Sequence, residues 1–361
     1  MTTNLVSDQM GVAQVPDPNL VNAWGVAVPP SGPFWISDNN ANVSTLYNVN
    51  GSQASINPLA VSIPGGNPTG AVFNPTSDFM LANGSPATFL FASETGNITA
   101  WNTGNQAQLV ASVPNGVFKG LALDSNSSGN FLLATDFRHA KIVVYNASFQ
   151  QTHLQGNFTD PTIPHGYAPF NVQTIGNLEY VTYAKQNAAK HDDVGGAGHG
   201  FVDVFNNQGR LLRRLASGGP LDSPWGIVVA PPSLGKFNGA ILVGNFKDGH
   251  ISAFSTRGRF MGQLDSAPGH ALTIDHLWAL TVGNDNGAGS SNALYFTAGP
   301  KNETHGLFGQ ISMNQPASTS PNTPASPTTP STPSTPMTPS TPMTPSTPMT
   351  PSTPMDPMWP Y

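Results

Sequence analysis

The segment Lys185–Gly200 is the most unusual stretch of the chain, because it gathers Lys190, His191, Asp192, Asp193 and His199 among several glycines. Imidazole nitrogen and carboxylate oxygen are the donors that hold a transition or divalent metal, and an Asp–His pair also works as an acid–base couple. The glycines would form a backbone anion nest, although no P-loop spacing is present. The bland alternative is a glycine-rich loop whose charges merely order it over whatever lies beneath. These five residues are the candidate binding residues.

A second set of polar residues recurs at intervals: Asp38, Glu94, Asp136, Asn245 with Asp248 and His250, and Glu303 with His305. Asp160, His165, Asp222, Asp275 and His276 fall in segments between apolar runs. If the fold brings these turns to one face, that face is negative and suits a divalent cation such as Ca²⁺. Asp38, Asp136, Asp192 and Asp193 are the candidate ligands. The competing role for Asp38, Asp136 and Asn245 is turn capping, which Asp and Asn perform cheaply. No Gly-x-Ser-x-Gly elbow, His-Glu-x-x-His or dinucleotide fingerprint occurs. A Ser-His-Asp triad assembled by the fold stays open, since such triads depend on geometry and not on order.

The elements that must position these residues form a repeat of four short strands. Apolar first strands contain Trp24-Gly25-Val26, Gly70-Ala71-Val72, Gly120-Leu121-Ala122, Phe170-Asn171-Val172, Trp225-Gly226-Ile227 and Trp278-Ala279-Leu280. Second strands follow at Phe34-Trp35-Ile36, Phe89-Leu90-Phe91, Phe131-Leu132-Leu133, Tyr180-Val181-Thr182, Ile241-Leu242-Val243 and Leu294-Tyr295-Phe296. Third strands end near an aromatic, and glycine turns such as Gln208-Gly209 lead into fourth strands. β-Branched and aromatic residues suit a sheet packed on both faces, and even spacing with glycine turns reads as propeller blades. The fold class is therefore all-β, a six-bladed β-propeller. The sixth unit runs out near Ile311, so Thr3-Asn4-Leu5-Val6-Ser7 is expected to supply its outer strand and close the ring. Trp24, Trp225 and Trp278 lie on first strands and read as core before they read as a sugar platform.

Residues 1–315 form this domain, and residues 316–361 are a Pro/Thr/Ser/Met-rich tail. The hexamer Pro-Ser-Thr-Pro-Met-Thr starts at Pro333 and recurs at Pro339 and Pro345. Such a segment has little apolar surface to bury, so disorder with a polyproline II bias is expected. Thr and Ser beside Pro also suit O-glycosylation. The alternative is repeat slippage without a selected role.

The whole chain has 361 residues, 9% charged, with 13 Lys+Arg against 19 Asp+Glu and no Cys. A basic run for nucleic acid, a disulfide frame and Cys-ligated zinc are thereby excluded. No apolar run of about 18 residues is present to span a bilayer as a helix. Met1 opens directly onto the domain without a leader pattern. Sequons at Asn42, Asn50, Asn83, Asn97, Asn126, Asn146, Asn157 and Asn302 are candidate glycosylation sites. With the tail they favour a secreted or cell-surface protein, the cytoplasm being the alternative.

Several longer runs resemble a known family. They include Thr3-Asn4-Leu5-Val6-Ser7-Asp8, Asn22-Ala23-Trp24-Gly25, Tyr167-Ala168-Pro169-Phe170-Asn171, Tyr180-Val181-Thr182-Tyr183-Ala184-Lys185-Gln186, Lys190-His191-Asp192-Asp193-Val194 and Leu294-Tyr295-Phe296-Thr297-Ala298-Gly299. They look like an uncharacterised bacterial-type β-propeller family, some members of which carry a Pro-Glu-Pro C-terminal sorting signal and which is distantly similar to NHL-repeat propellers. The resemblance covers about residues 3–311. It implies the fold, a habit of export and no established activity. Two functions follow as expectations. One is a binding module that takes a ligand, glycan or protein partner at the channel mouth. The other is a metal-assisted hydrolase, lactonase or lyase with its centre at the same place.

Overall fold

The computed structural model describes residues 2–312. The tail from Pro316 onward, and the expectations that fall on it, lie outside the described residues. Within them the chain folds into six four-stranded or larger antiparallel sheets, arranged as the blades of a propeller. The first strands are Ala23–Ala27, Pro68–Phe73, Phe118–Asn126, Tyr167–Ile175, Pro224–Val229 and Leu277–Val282. Each packs against the first strand of the next blade, and the sixth packs against the first, so they ring a central channel.

Blade 6 is completed by the N-terminus. Thr2–Ser7 pairs antiparallel with Leu307–Ile311, with Thr2 opposite Ile311 and Ser7 opposite Leu307. Val15–Pro16 adds a short parallel fifth strand. Leu5 and Val6 are fully buried there, which removes apolar surface from water and covers the open edge. Beyond the strand, Asp8 accepts from Gly306 N at 2.9 Å and meets His305 Nδ1 at 2.6 Å. A two-stranded hairpin, Asp265–Ala267 with His270–Ala271, follows the outer strand of blade 5; it has no counterpart in the sequence pattern.

Every first strand carries a register shift at the same place, near Gly25, Gly70, Gly120, Asn171, Gly226 and Ala279. Crowding explains the glycines. A Cβ on Gly25 would strike the backbone of Thr69 and Ala71, and one on Gly70 would strike Leu121 N. In three blades a second-strand threonine accepts the N–H at or beside the shift. The pairs are Gly120 N to Thr135 Oγ1 at 2.7 Å, Asn171 N to Thr182 Oγ1 at 2.9 Å and Ala279 N to Thr297 Oγ1 at 3.0 Å. Buried donors need partners, and these hydroxyls supply them without widening the ring. Where blade 4 has Asn171 in place of glycine, its amide donates to Trp225 O of the neighbouring blade 5 at 2.8 Å.

Candidate functional site

The residues just before this ring close one end of the channel. Trp24, Phe170, Trp225 and Trp278 meet at the axis, joined by Phe137 and Phe246 from second-strand turns. Trp24 stacks on Trp278 with centroids 3.5 Å apart, Phe246 stacks on the other side at 3.9 Å, and Trp225 meets Trp278 edge-on at 5.9 Å. Trp278 Nε1 donates to Asn22 Oδ1 at 2.9 Å. These tryptophans are buried core, so they do not form an exposed platform.

Lys119 occupies the position that Trp24 and Trp225 hold in their own blades. Its side chain is 3% exposed, and its ammonium lies 5.0 Å from the centroid of Trp24. It donates to Glu94 Oε1 and lies 3.7 Å from Asp192 Oδ1. Burial alone would push this ammonium down, but Glu94 and Asp192 outweigh it and hold Lys119 above the ordinary lysine range. A chain of amides extends the network. Asn39 donates to Glu94 Oε2 at 3.1 Å, and Asn22 donates to Asn39 Oδ1 at 3.4 Å and to Glu303 Oε1 at 3.0 Å. Burial raises Glu303, with Lys119 and Asn22 opposing it.

The long insertion of blade 4 folds over this mouth. Asn187 N bonds Asp192 O at 2.8 Å and Val194 N bonds Lys185 O at 2.8 Å, making a small hairpin. His191 Nδ1 lies 2.7 Å from Asp192 Oδ1, and both side chains reach solvent. Burial would raise Asp192, but His191 and Lys119 more than offset it and hold the carboxylate below its usual range. Asp193 is buried, which raises it, and faces Lys247 Nζ at 3.7 Å.

The structure thus brings His191, Asp192 and Asp193 to the mouth and sends the other candidates elsewhere. His199 turns back onto the carbonyls of Val194 and Gly195, each 3.1 Å from Nδ1. Lys190 takes a left-handed conformation and lines a separate 280 Å³ hollow beside Tyr183 and His165. Asp136 is fully buried; it accepts from Val117 N at 3.3 Å and meets His139 Nδ1 at 2.6 Å, which is a turn-capping role. Asp38 is buried near Thr45 and Asp17 and raised well above the carboxylate range by desolvation, so it faces no open site. Of the sequon asparagines, Asn42, Asn50, Asn83, Asn157 and Asn302 are exposed, while Asn97, Asn126 and Asn146 are half-buried. Among the described residues, the acidic and histidine side chains able to converge as a metal-sized group are Glu94, His191 and Asp192, with donor atoms within 4.8 Å of one another. Asn39, read in the sequence as part of the Asp38-Asn39-Asn40 turn, reaches the mouth, whereas Lys119 escaped the sequence reading. The available signal was a lysine in a strand position held by an aromatic in four of the other blades and by Thr69 in the fifth.

The chain is 32% identical to the uncharacterized protein R648 of Acanthamoeba polyphaga mimivirus over 328 residues, 86% of this chain and 80% of that protein. It is 30% identical to the uncharacterized protein L690 of the same virus, over 86% of this chain and 85% of that one. The chain belongs to their family. No protein-family model matches it. Similar solved structures include virginiamycin B lyase from Staphylococcus aureus, with TM-score 0.43, 13% identity and 87% and 88% of the two chains covered. An α-L-arabinofuranosidase from Fusarium graminearum gives TM-score 0.49 and 12% identity over 81% and 97% of the chains. Likeness at this level carries no argument about fold or chemistry. No helix among the described residues is long and apolar enough to cross a membrane.

Proposed function

We propose that the protein is a binding module that takes a polyhydroxylated ligand, of glycan type, at the channel mouth. One observation carries this reading: the mouth's two lysines are already matched, Lys119 buried against Glu94 and Asp192 and Lys247 facing Asp193 over the Phe246 ring, while Asp192 and His191 face solvent. Lys119 is neutralised by Glu94 and Asp192, so it is not free to seize an anion. Asp192 and His191 project outward, side chains 60% and 36% exposed, from a base fixed by groups of blades 1, 2, 3 and 6. Carboxylate, imidazole and amide are the groups that pair with sugar hydroxyls, and fixing them in advance lowers the ordering cost of binding. The test is a glycan array probed with the full chain, followed by calorimetry on the strongest hit. Asp192→Asn should weaken that binding by about tenfold or more, the loss of a charge-assisted bond. A blank array, or unchanged affinity in the variant, would refute the reading.

A metal-assisted hydrolase, lactonase or lyase is the second reading, favoured by the spacing of Glu94, His191 and Asp192. A divalent ion there would polarise a substrate carbonyl. It would also have to displace the Lys119 ammonium, which already neutralises two of the three donors. Export to the secretory route or cell surface belongs to the same proposal. It rests on the sequons and the Pro/Thr tail.

A further inference from the structure

Below the aromatic plug the channel widens into a second cavity of about 530 Å³, opening on the face opposite the mouth. Its wall is the C-terminal halves of the first strands, with Val26, Val28, Leu121, Ile227, Leu280 and Val282 prominent. None of its lining residues is charged, in contrast to the mouth. Three to four strand residues at 3.3 Å each give it a depth of roughly 10 Å. Its volume lies within the roughly 300–1,000 Å³ range of small-molecule sites, which are mostly apolar with a few placed polar groups.

The polar groups present narrow the ligand. Thr174 is committed to Leu123 O at 2.7 Å and Glu179 Oε2 at 2.8 Å. Asn171 is committed to Trp225 O at 2.8 Å, and Thr281 to Val282 O at 3.2 Å. Gln173 is exposed at the wall and carries an amide available to one hydrogen-bonding group. Trp225 forms part of the lining, so it both closes the plug and reports on the cavity.

We infer that this lower channel is a binding site for a compact, neutral molecule with an apolar body and hydrogen-bonding groups for the first strands' channel-facing backbone and Gln173, independent of the mouth. A charged ligand would lose its hydration with no counter-charge in the wall, whereas aliphatic walls take an apolar body without that cost.

The probe is N-phenyl-1-naphthylamine, a neutral aromatic amine that brightens in apolar surroundings and accepts energy from tryptophan. Titrated into the full chain, it should bind saturably at one site and quench tryptophan emission. Its anionic relative 1-anilinonaphthalene-8-sulfonate should bind about tenfold more weakly or worse. Val28→Phe and Val282→Phe, on adjacent blades, each fill the cavity and should weaken the neutral probe by about tenfold, while Asp192→Asn leaves it unchanged. Absence of saturable quenching in the unaltered chain overturns the proposal, as does undiminished binding in a cavity-filling variant that melts like the parent. Equal affinity for the two probes overturns the neutrality of the site. Because the unaltered chain is itself diagnostic, a misfolded variant does not remove the test.

Discussion

Lys119 of blade 3 donates to Glu94 of blade 2 across the blade boundary, with its ammonium buried above the Trp24 ring. Removing one member of such a pair strands the other charge, a loss of about 3–5 kcal/mol, while removing both together costs far less. Lys119→Met and Glu94→Gln should each lower the free energy of unfolding by that amount. The double variant should recover most of it. Denaturant titration of the four proteins measures the coupling directly, and additive losses would show that the two residues do not act as a pair.

Glu179 yields a pH prediction. It is fully buried in a second strand, and burial, aided by Asp124, raises its carboxyl to about 8. The folded state therefore holds a proton that the unfolded chain releases near pH 4.5. Stability from this group is complete below that pH and falls as pH rises toward about 8, where the loss levels off. At 1.36 kcal/mol per unit the full decline is on the order of 5 kcal/mol. Glu179→Gln should flatten the stability profile across this window. A parallel decline in the variant would assign the effect elsewhere, Asp203 and Asp124 being the next candidates because burial raises them to about 7 and about 6.

Ring closure is equally open to test. Deleting residues 1–10 removes the outer strand that pairs with Leu307–Ile311, along with buried Leu5 and Val6. Two buried aliphatic side chains alone contribute about 3–6 kcal/mol, so the melting temperature should fall by roughly 10 °C or more. An unchanged melting curve would mean the pairing contributes nothing.

The glycine ring predicts a contrast between blades. A Cβ on Gly226 would meet Trp278 O at 2.7 Å, whereas blade 6 carries Ala279 at the equivalent position. Gly226→Ala should cost about 1–3 kcal/mol in thermal or denaturant unfolding, the usual penalty for overpacking. Ala279→Gly should cost less, since it adds chain entropy without a clash. Equal costs would contradict the crowding argument.

The blade repeat was legible because its cause is local: apolar first strands, aromatic second strands and a glycine where neighbouring strands crowd. Closure was legible too, since the sixth unit lacked a fourth strand and the first residues had no blade. The mouth was only half legible. Asp192 and His191 stand in a conspicuous loop, but their partner Lys119 lies inside a strand far away in sequence, and only the ring brings them together. Asp136 and Asp38 looked alike in sequence. Both are fully buried, but Asp136 caps a turn beside Val117 and His139 whereas Asp38 lies against Thr45 and Asp17, and that difference depends on neighbours the sequence does not reveal.

In the binding-module reading the Lys119 ammonium takes the place of a divalent ion between Glu94 and Asp192. Plasma mass spectrometry of the purified full chain, with melting curves before and after chelator, tests it most directly. The account predicts no stoichiometric metal and superimposable curves. A bound divalent ion whose removal lowers the melting temperature, and which is lost in Asp192→Asn, would contradict it and favour metal-assisted chemistry among Glu94, His191 and Asp192.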